Sequence, residues 1–208
     1  MQITPILEWF KVNMPVAESE LHYRNPFELI VAVILSAQCT DKRVNTVTPA
    51  LFAAYPDAAA MAQASVEQVF SFIHSVSYPN AKAQHLVAMA QQLTERHQGQ
   101  VPCDEAALVA LPGVGRKTAH VVMAVLWNCP TMAVDTHIFR VSERLGLTTN
   151  SKSVLHTERV LTRLIPAELI PKAHHWLLLH GRYVCTARKP HCDRCGLSPY
   201  CRYFSTLR

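Results

Sequence analysis

The chain has 208 residues, half of them hydrophobic and 17% charged, with a formal net charge of +5. This composition can fill a core and excludes a disordered protein, while the length allows one domain or two small ones. The longest apolar runs, Leu29 to Leu35 and Val121 to Trp127, are far too short to cross a membrane. Glu8 and Lys11 interrupt the apolar residues of Met1 to Met14, where no secretory leader is visible. Asn25-Pro26-Phe27-Glu28 then opens a helix: Asn as N-cap, Pro at the first helical position, Glu placed to return a capping bond. The residues that follow, Leu29 to Ile34, are apolar nearly all round, which predicts a central, buried helix. Thr40 and Asp41 open a second segment that runs through Phe52 and ends before Pro56.

Further helices are predicted near 57–64, 66–74, 81–97, 104–110, 116–127, 136–145, 153–164 and 171–180. Pro49, Pro56, Pro79, Pro102, Pro112, Pro130, Pro166 and Pro171 punctuate them. Strand signals are nearly absent, so the expected fold class is all-α.

Leu108 to Ala119 reads as helix, tight glycine turn, helix. Gly113 and Gly115 bracket Val114, which lets the backbone turn sharply and approach another surface. The turn's amides and the following helix N-terminus make a site for one phosphate, and Arg116 and Lys117 add attraction. An ordinary helical hairpin is the plain alternative for the glycines alone.

Near the C-terminus, Cys185, Cys192, Cys195 and Cys201 are spaced C-x6-C-x2-C-x5-C, four thiolate ligands within seventeen residues. Arg182, Arg188, Lys189, Arg194 and Arg202 surround them. Zinc sites generally show two C-x2-4-C pairs, and here only Cys192 and Cys195 form one, so the spacing leaves both a zinc site and an iron–sulfur cluster open. A [4Fe–4S] cluster with its thiolates carries about −2 and lowers the net charge of +5 to roughly +3. Cys39, Cys103 and Cys129 are expected to be buried thiols rather than disulfide partners.

Taken together, LPGVGRKTA at 111–119, AVDTHIFR at 133–140, HHWLLLHGR at 174–182 and the cysteine spacing resemble the endonuclease III family of DNA glycosylases, within the helix-hairpin-helix superfamily. SAQCTD at 36–41 and NPFELIVAVILSAQ at 25–38 extend the resemblance over nearly the whole chain. It implies a two-lobed glycosylase fold: a helical barrel from 19–131, and a cluster domain from 1–18 with 132–208. It also implies a [4Fe–4S] cofactor on the four cysteines, with Lys117 as catalytic lysine and Asp135 as catalytic carboxylate. A carboxylate stabilises the positive charge that develops at C1′ as a damaged base leaves, and a lysine amine attacks that carbon. Asp135, before Thr136, also occupies a natural N-cap position.

The implied partner is double-stranded DNA carrying oxidised or ring-saturated pyrimidines or abasic sites. The implied enzyme is a nucleoid-associated monomer of the cytoplasm working in base excision repair. The flipped base leaves a gap that must be filled. By resemblance Gln38 enters it, and a bulky residue on the loop before Lys82-Ala83 joins it. Relatives commonly have glycine, an apolar or aromatic residue and an aromatic in that loop; here Ser77 replaces the glycine, Tyr78 falls at the wedge position and Pro79 follows. Gln38, Tyr78, Lys82, Gly113, Val114, Gly115, Arg116, Arg188 and Lys189 are the expected DNA contacts. His120 stands where asparagine is usual, a turn beyond Lys117, either facing the site or a surface or packed histidine. A mismatch glycosylase for adenine, thymine or uracil, and a non-catalytic iron–sulfur DNA-binding protein, are the competing functions. The adenine type lacks a lysine at the position of Lys117.

Overall fold

A computed structural model describes residues 3–207, and the outermost residues of the expected cluster domain, Met1, Gln2 and Arg208, lie outside it. Among the described residues the regular elements are all helical: α1 (Thr4–Asn13), α2 (Pro26–Ser36), α3 (Asp41–Ala54), α4 (Ala58–Ala62), α5 (Val66–Ile73), α6 (Pro79–His97), α7 (Glu105–Val109), α8 (Arg116–Trp127), α9 (Thr136–Leu145), α10 (Val154–Leu164), α11 (Ile170–Tyr183) and α12 (Arg202–Ser205), with short 3-10 turns near the C-terminus. The chain divides into two compact units, one from Ser19 to Trp127 and one joining Met1–Glu18 to Asn128–Arg208.

In the Ser19–Trp127 unit, α2 is the central helix, with every residue from Phe27 to Leu35 buried. Its N-cap forms as the sequence indicates, Asn25 accepting from the Glu28 amide at 2.9 Å. The Glu28 carboxylate does not return to Asn25, however. It accepts from the Arg24 amide at 2.7 Å and pairs with the Arg24 guanidinium at 2.6 Å. Burying Glu28 is tolerable because both carboxylate oxygens have donors.

α3 runs through Pro49 to Ala54, two residues beyond the expected Phe52. Proline removes only one ladder bond, and the buried Val44, Val47, Thr48, Leu51 and Phe52 hold the helix against the core on both sides of it. α6 begins at Pro79, two residues earlier than the pattern indicates, because proline suits a first helical position. Cys103 is exposed, and Cys39 and Cys129 are half-buried, which corrects the expectation of three buried thiols; none of the seven cysteines forms a disulfide.

The second unit packs Ile6, Leu7 and Phe10 of α1 with residues of α9 and α11. Phe10 stacks on the fully buried Trp176, with centroids 5.6 Å apart, and the Trp176 indole donates to the Met14 carbonyl at 2.8 Å. These contacts tie the N-terminal helix to the C-terminal half of the chain.

Candidate nucleic-acid interface and metal centre

The hairpin is built on a short α7, whose N-cap Asp104 accepts from the Ala107 amide at 2.8 Å. Leu108, Leu111 and Val114 are buried and fix the turn to the core. Val114 therefore anchors the turn and does not itself offer a contact: its side chain is 5% exposed and its amide donates to the Leu111 carbonyl at 3.1 Å. This corrects its place among the expected DNA contacts.

Gly113 has φ +78°, and a Cβ there would lie 2.8 Å from the Cβ of His85. The fold itself demands that glycine. Gly115 is different, because a Cβ there would meet nothing within 4 Å. No neighbour among the described residues requires Gly115 to be small, and the open space beside it suits an external surface at close range.

Beyond the turn, Arg116 and Lys117 are exposed on the first turn of α8. The Lys117 ammonium has no partner among the described residues. Arg116 approaches the Glu105 carboxylate at 3.5 Å, and the buried His120 reaches the same oxygen at 3.2 Å. His120 is thus packed under the hairpin and held by an acidic residue that motif reading overlooks.

In the same unit Gln38 and Tyr78 are exposed, Tyr78 at 65%. Both adopt left-handed backbone conformations, with φ 53° and 55°. Lys82 is placed otherwise than expected. It is 5% exposed, and its ammonium donates to the carbonyls of Leu35 at 2.8 Å and Ala37 at 2.7 Å. Burial pushes its pKa below the ordinary lysine value, with Cys39 acting in the opposite sense. Lys82 caps the C-terminus of α2, so it is removed from the expected DNA contacts.

In the other unit Asp135 is half-buried and caps α9, its Oδ1 accepting from the Ile138 amide at 2.8 Å. That bond fixes the carboxylate, and its second oxygen has no hydrogen-bond partner among the described residues. A turn along the same helix, Arg140 donates to the carbonyls of Cys185 at 3.0 Å and Gly181 at 2.7 Å. One turn further, Arg144 donates to Cys185 Sγ at 3.4 Å and to the carbonyls of Thr186 at 2.7 Å and Ala187 at 2.9 Å. Its guanidinium lies over the Tyr203 ring, 4.7 Å from the centroid. α9 therefore carries the candidate carboxylate at its start and braces the cysteine loop along its length. The i, i+4 spacing of the two arginines is the signal that would have found them.

Cys185, Cys192, Cys195 and Cys201 line one cavity, together with His180. Burial raises the pKa of the Cys192 and Cys195 thiols, and the thiolates of Cys185 and Cys201 raise them further. His180 Nε2 lies 3.7 Å from Cys195 Sγ, and burial lowers that imidazole to about 4, leaving it neutral. Arg188 and Lys189 are exposed on the loop between the first two cysteines, where the Thr186 hydroxyl donates to the Lys189 carbonyl at 2.6 Å.

Residues 31–167 match the HhH-GPD superfamily of base excision DNA repair proteins, and residues 185–201 match the iron-sulfur binding domain of endonuclease III. The chain is 45% identical to endonuclease III of Rickettsia conorii over 206 residues, covering 99% of this chain and 98% of the relative. With endonuclease III of Escherichia coli K12 the identity is 46% over 198 residues, 95% and 93% of the two chains. The chain belongs to the endonuclease III family.

Membership makes the protein a DNA glycosylase and abasic-site lyase of base excision repair, with an iron–sulfur cluster. A trapped covalent intermediate of endonuclease III with DNA superposes with TM-score 0.92 at 41% identity, covering 99% of this chain and 97% of that one. A thermostable thymine-DNA glycosylase shares the fold at TM-score 0.81 and 23% identity, with 98% and 95% covered.

The cysteine cavity fits the family's [4Fe–4S] group. Four soft sulfur donors line it, and Cys185 and Cys201 disfavour the thiolates of Cys192 and Cys195, a conflict that bound iron relieves. Among the described residues no three Cys, His, Asp or Glu side chains converge as a single ion requires. A cluster spreads its ligands over four irons instead. Arg144 then offers positive charge and an N–H donor to the Cys185 sulfur, which tunes such a centre from outside its ligand set.

Proposed function

We propose that this endonuclease III family member acts as a monomer on duplex DNA, excising oxidised or ring-saturated pyrimidines and nicking the strand 3′ to the abasic site. Lys117 is the nucleophile and Asp135 the stabilising carboxylate. As the C1′–N bond breaks, the base leaves with the bonding pair and C1′ becomes electron-deficient; the fixed Asp135 carboxylate favours that charge. The Lys117 nitrogen bonds to C1′ through its lone pair, the C1′–O4′ bond breaks with its electrons going to O4′, and as a proton passes from nitrogen to O4′ a Schiff base forms. Loss of a 2′ proton then drives out the 3′ phosphate with the C3′–O electrons, and water releases the lysine. The iron–sulfur cluster contributes folding of the C-terminal loop, on which Arg188 and Lys189 are offered to the DNA backbone.

The observation that carries this reading is Lys117: exposed and unpaired among the described residues, on the first turn of the helix after Gly113-Val114-Gly115. The backbone amides of Gly113 and Gly115, with Arg116, supply the phosphate grip. Gln38 and Tyr78 fill the gap left by the flipped base.

Single-turnover base release from duplexes with thymine glycol, dihydrouracil, a G·T mismatch or a G·U mismatch tests the substrate class. Faster release of the two damaged pyrimidines is expected, and Asp135→Asn should slow it by about a hundredfold or more while DNA binding persists. Preference for G·T would overturn the substrate assignment, and unchanged turnover in Asp135→Asn would remove that carboxylate from the reaction.

A further inference from the structure

An exposed tyrosine in a left-handed backbone conformation is unusual, because a side chain disfavours that region, and here it is joined by an exposed glutamine in the same state. Tyr78 is held between the buried Val76, whose amide donates to the Ile73 carbonyl at 3.0 Å, and Pro79, whose ring fixes the start of α6. Gln38 follows α2, where the carbonyls of the last turn have no helical partners of their own. Three of the carbonyls at this end are taken up from across the unit. Lys82 binds those of Leu35 and Ala37, and the Ser77 hydroxyl donates to that of Gln38 at 2.6 Å. The residue next to Tyr78 therefore holds the backbone of Gln38 directly, although the two loops are 39 residues apart in sequence.

We propose that Ser77 is a positioning residue that couples Gln38 and Tyr78 into one preset pair of probes for the gap opened in the duplex. The inference rests on the reading that these two side chains enter the gap. A glycine at position 77 has no side-chain donor, so the link is specific to a hydroxyl there. Backbones held in the inserting conformation before DNA arrives leave less disorder to be lost on binding, and the gain appears only where a gap exists. Undamaged duplex, with no gap to fill, is bound without it. The Lys82 ammonium secures the end of α2 from beneath, so loss of the Ser77 bond loosens the coupling without dissolving the turn.

The test uses the full-length, cluster-loaded protein and a duplex with a tetrahydrofuran abasic-site analogue, compared with the same duplex undamaged. Removing one neutral hydrogen bond should lower the ratio of damaged to undamaged affinity by about 2- to 12-fold in Ser77→Ala. Ser77→Gly should match Ser77→Ala, and Ser77→Thr should restore the ratio. Gln38→Ala and Tyr78→Ala should each lower the ratio and combine non-additively when Ser77 is present, but additively in the Ser77→Ala background. A general loss of stability would not move that coupling. If Gln38→Ala and Tyr78→Ala leave the ratio unchanged, the insertion reading fails and the inference with it. If they lower it while Ser77→Ala keeps the wild-type ratio and coupling, the link alone is refuted.

Discussion

Alanine substitutions at Gly113 and Gly115 should separate what the hairpin needs to fold from what it needs to hold DNA. At Gly113 the φ of +78° costs a non-glycine residue about 1–2 kcal/mol. The new methyl group would also lie 2.8 Å from His85 Cβ, which is tied to the backbone of α6 and cannot swing away. Relieving that overlap needs a shift of roughly 1 Å, comparable to overpacking a core, at about 1–3 kcal/mol. Gly113→Ala should therefore lose about 2–5 kcal/mol of stability in urea unfolding followed by circular dichroism.

Gly115→Ala meets nothing within 4 Å and has no positive φ, so its stability should stay within about 0.5 kcal/mol of wild type. Its cost should fall on DNA. A methyl group that holds a phosphate away from the turn forfeits a hydrogen bond to a charged group, about 10- to 100-fold in affinity by fluorescence anisotropy. Full affinity in Gly115→Ala would refute the close approach, and wild-type stability in Gly113→Ala would refute the packing argument.

Two further substitutions probe the charges around each centre. Glu105 competes with DNA for Arg116, and an exposed pair of this kind is weak, so Glu105→Gln should tighten duplex binding about 2- to 5-fold at low salt. The salt dependence should steepen by about one phosphate contact; looser binding would mean that Glu105 instead orients Arg116. Arg144→Lys keeps the charge but loses the fork that spans Cys185, Thr186 and Ala187, so the cluster's visible absorbance should decay about tenfold faster under a chelator. An unchanged decay would remove Arg144 from the support of the cluster.

Short-range signals in the sequence carried most of the helical outline. Asn25, Thr40, Asp57, Ser65, Asp104, Asp135 and Ser153 all cap helices, each accepting a backbone N–H three residues on, and that geometry needs nothing beyond local chain. The tolerance of Pro49 inside α3 is not a local quantity, since the burial on both sides of it is tertiary. Lys82 misled for a related reason. A lysine on the first turn of a helix reads as solvated, but its two acceptors lie 47 and 45 residues away at the C-terminal end of α2. Val114 sits inside the most recognisable motif of the chain, and only the fold reveals that it anchors the motif from within. Ser77 stood out as a departure from relatives, yet its bond to Gln38 becomes visible only when the two loops are brought together.

The proposed reaction depends most on Lys117 forming a bond to the sugar. Borohydride reduction of the protein mixed with duplex DNA containing an abasic site traps a Schiff base as a stable protein–DNA adduct on a denaturing gel. The wild type should give that adduct, and Lys117→Ala should give none while still shifting the duplex in a native gel. An adduct that persists in Lys117→Ala, or a wild type that binds the duplex tightly and never traps, would contradict it.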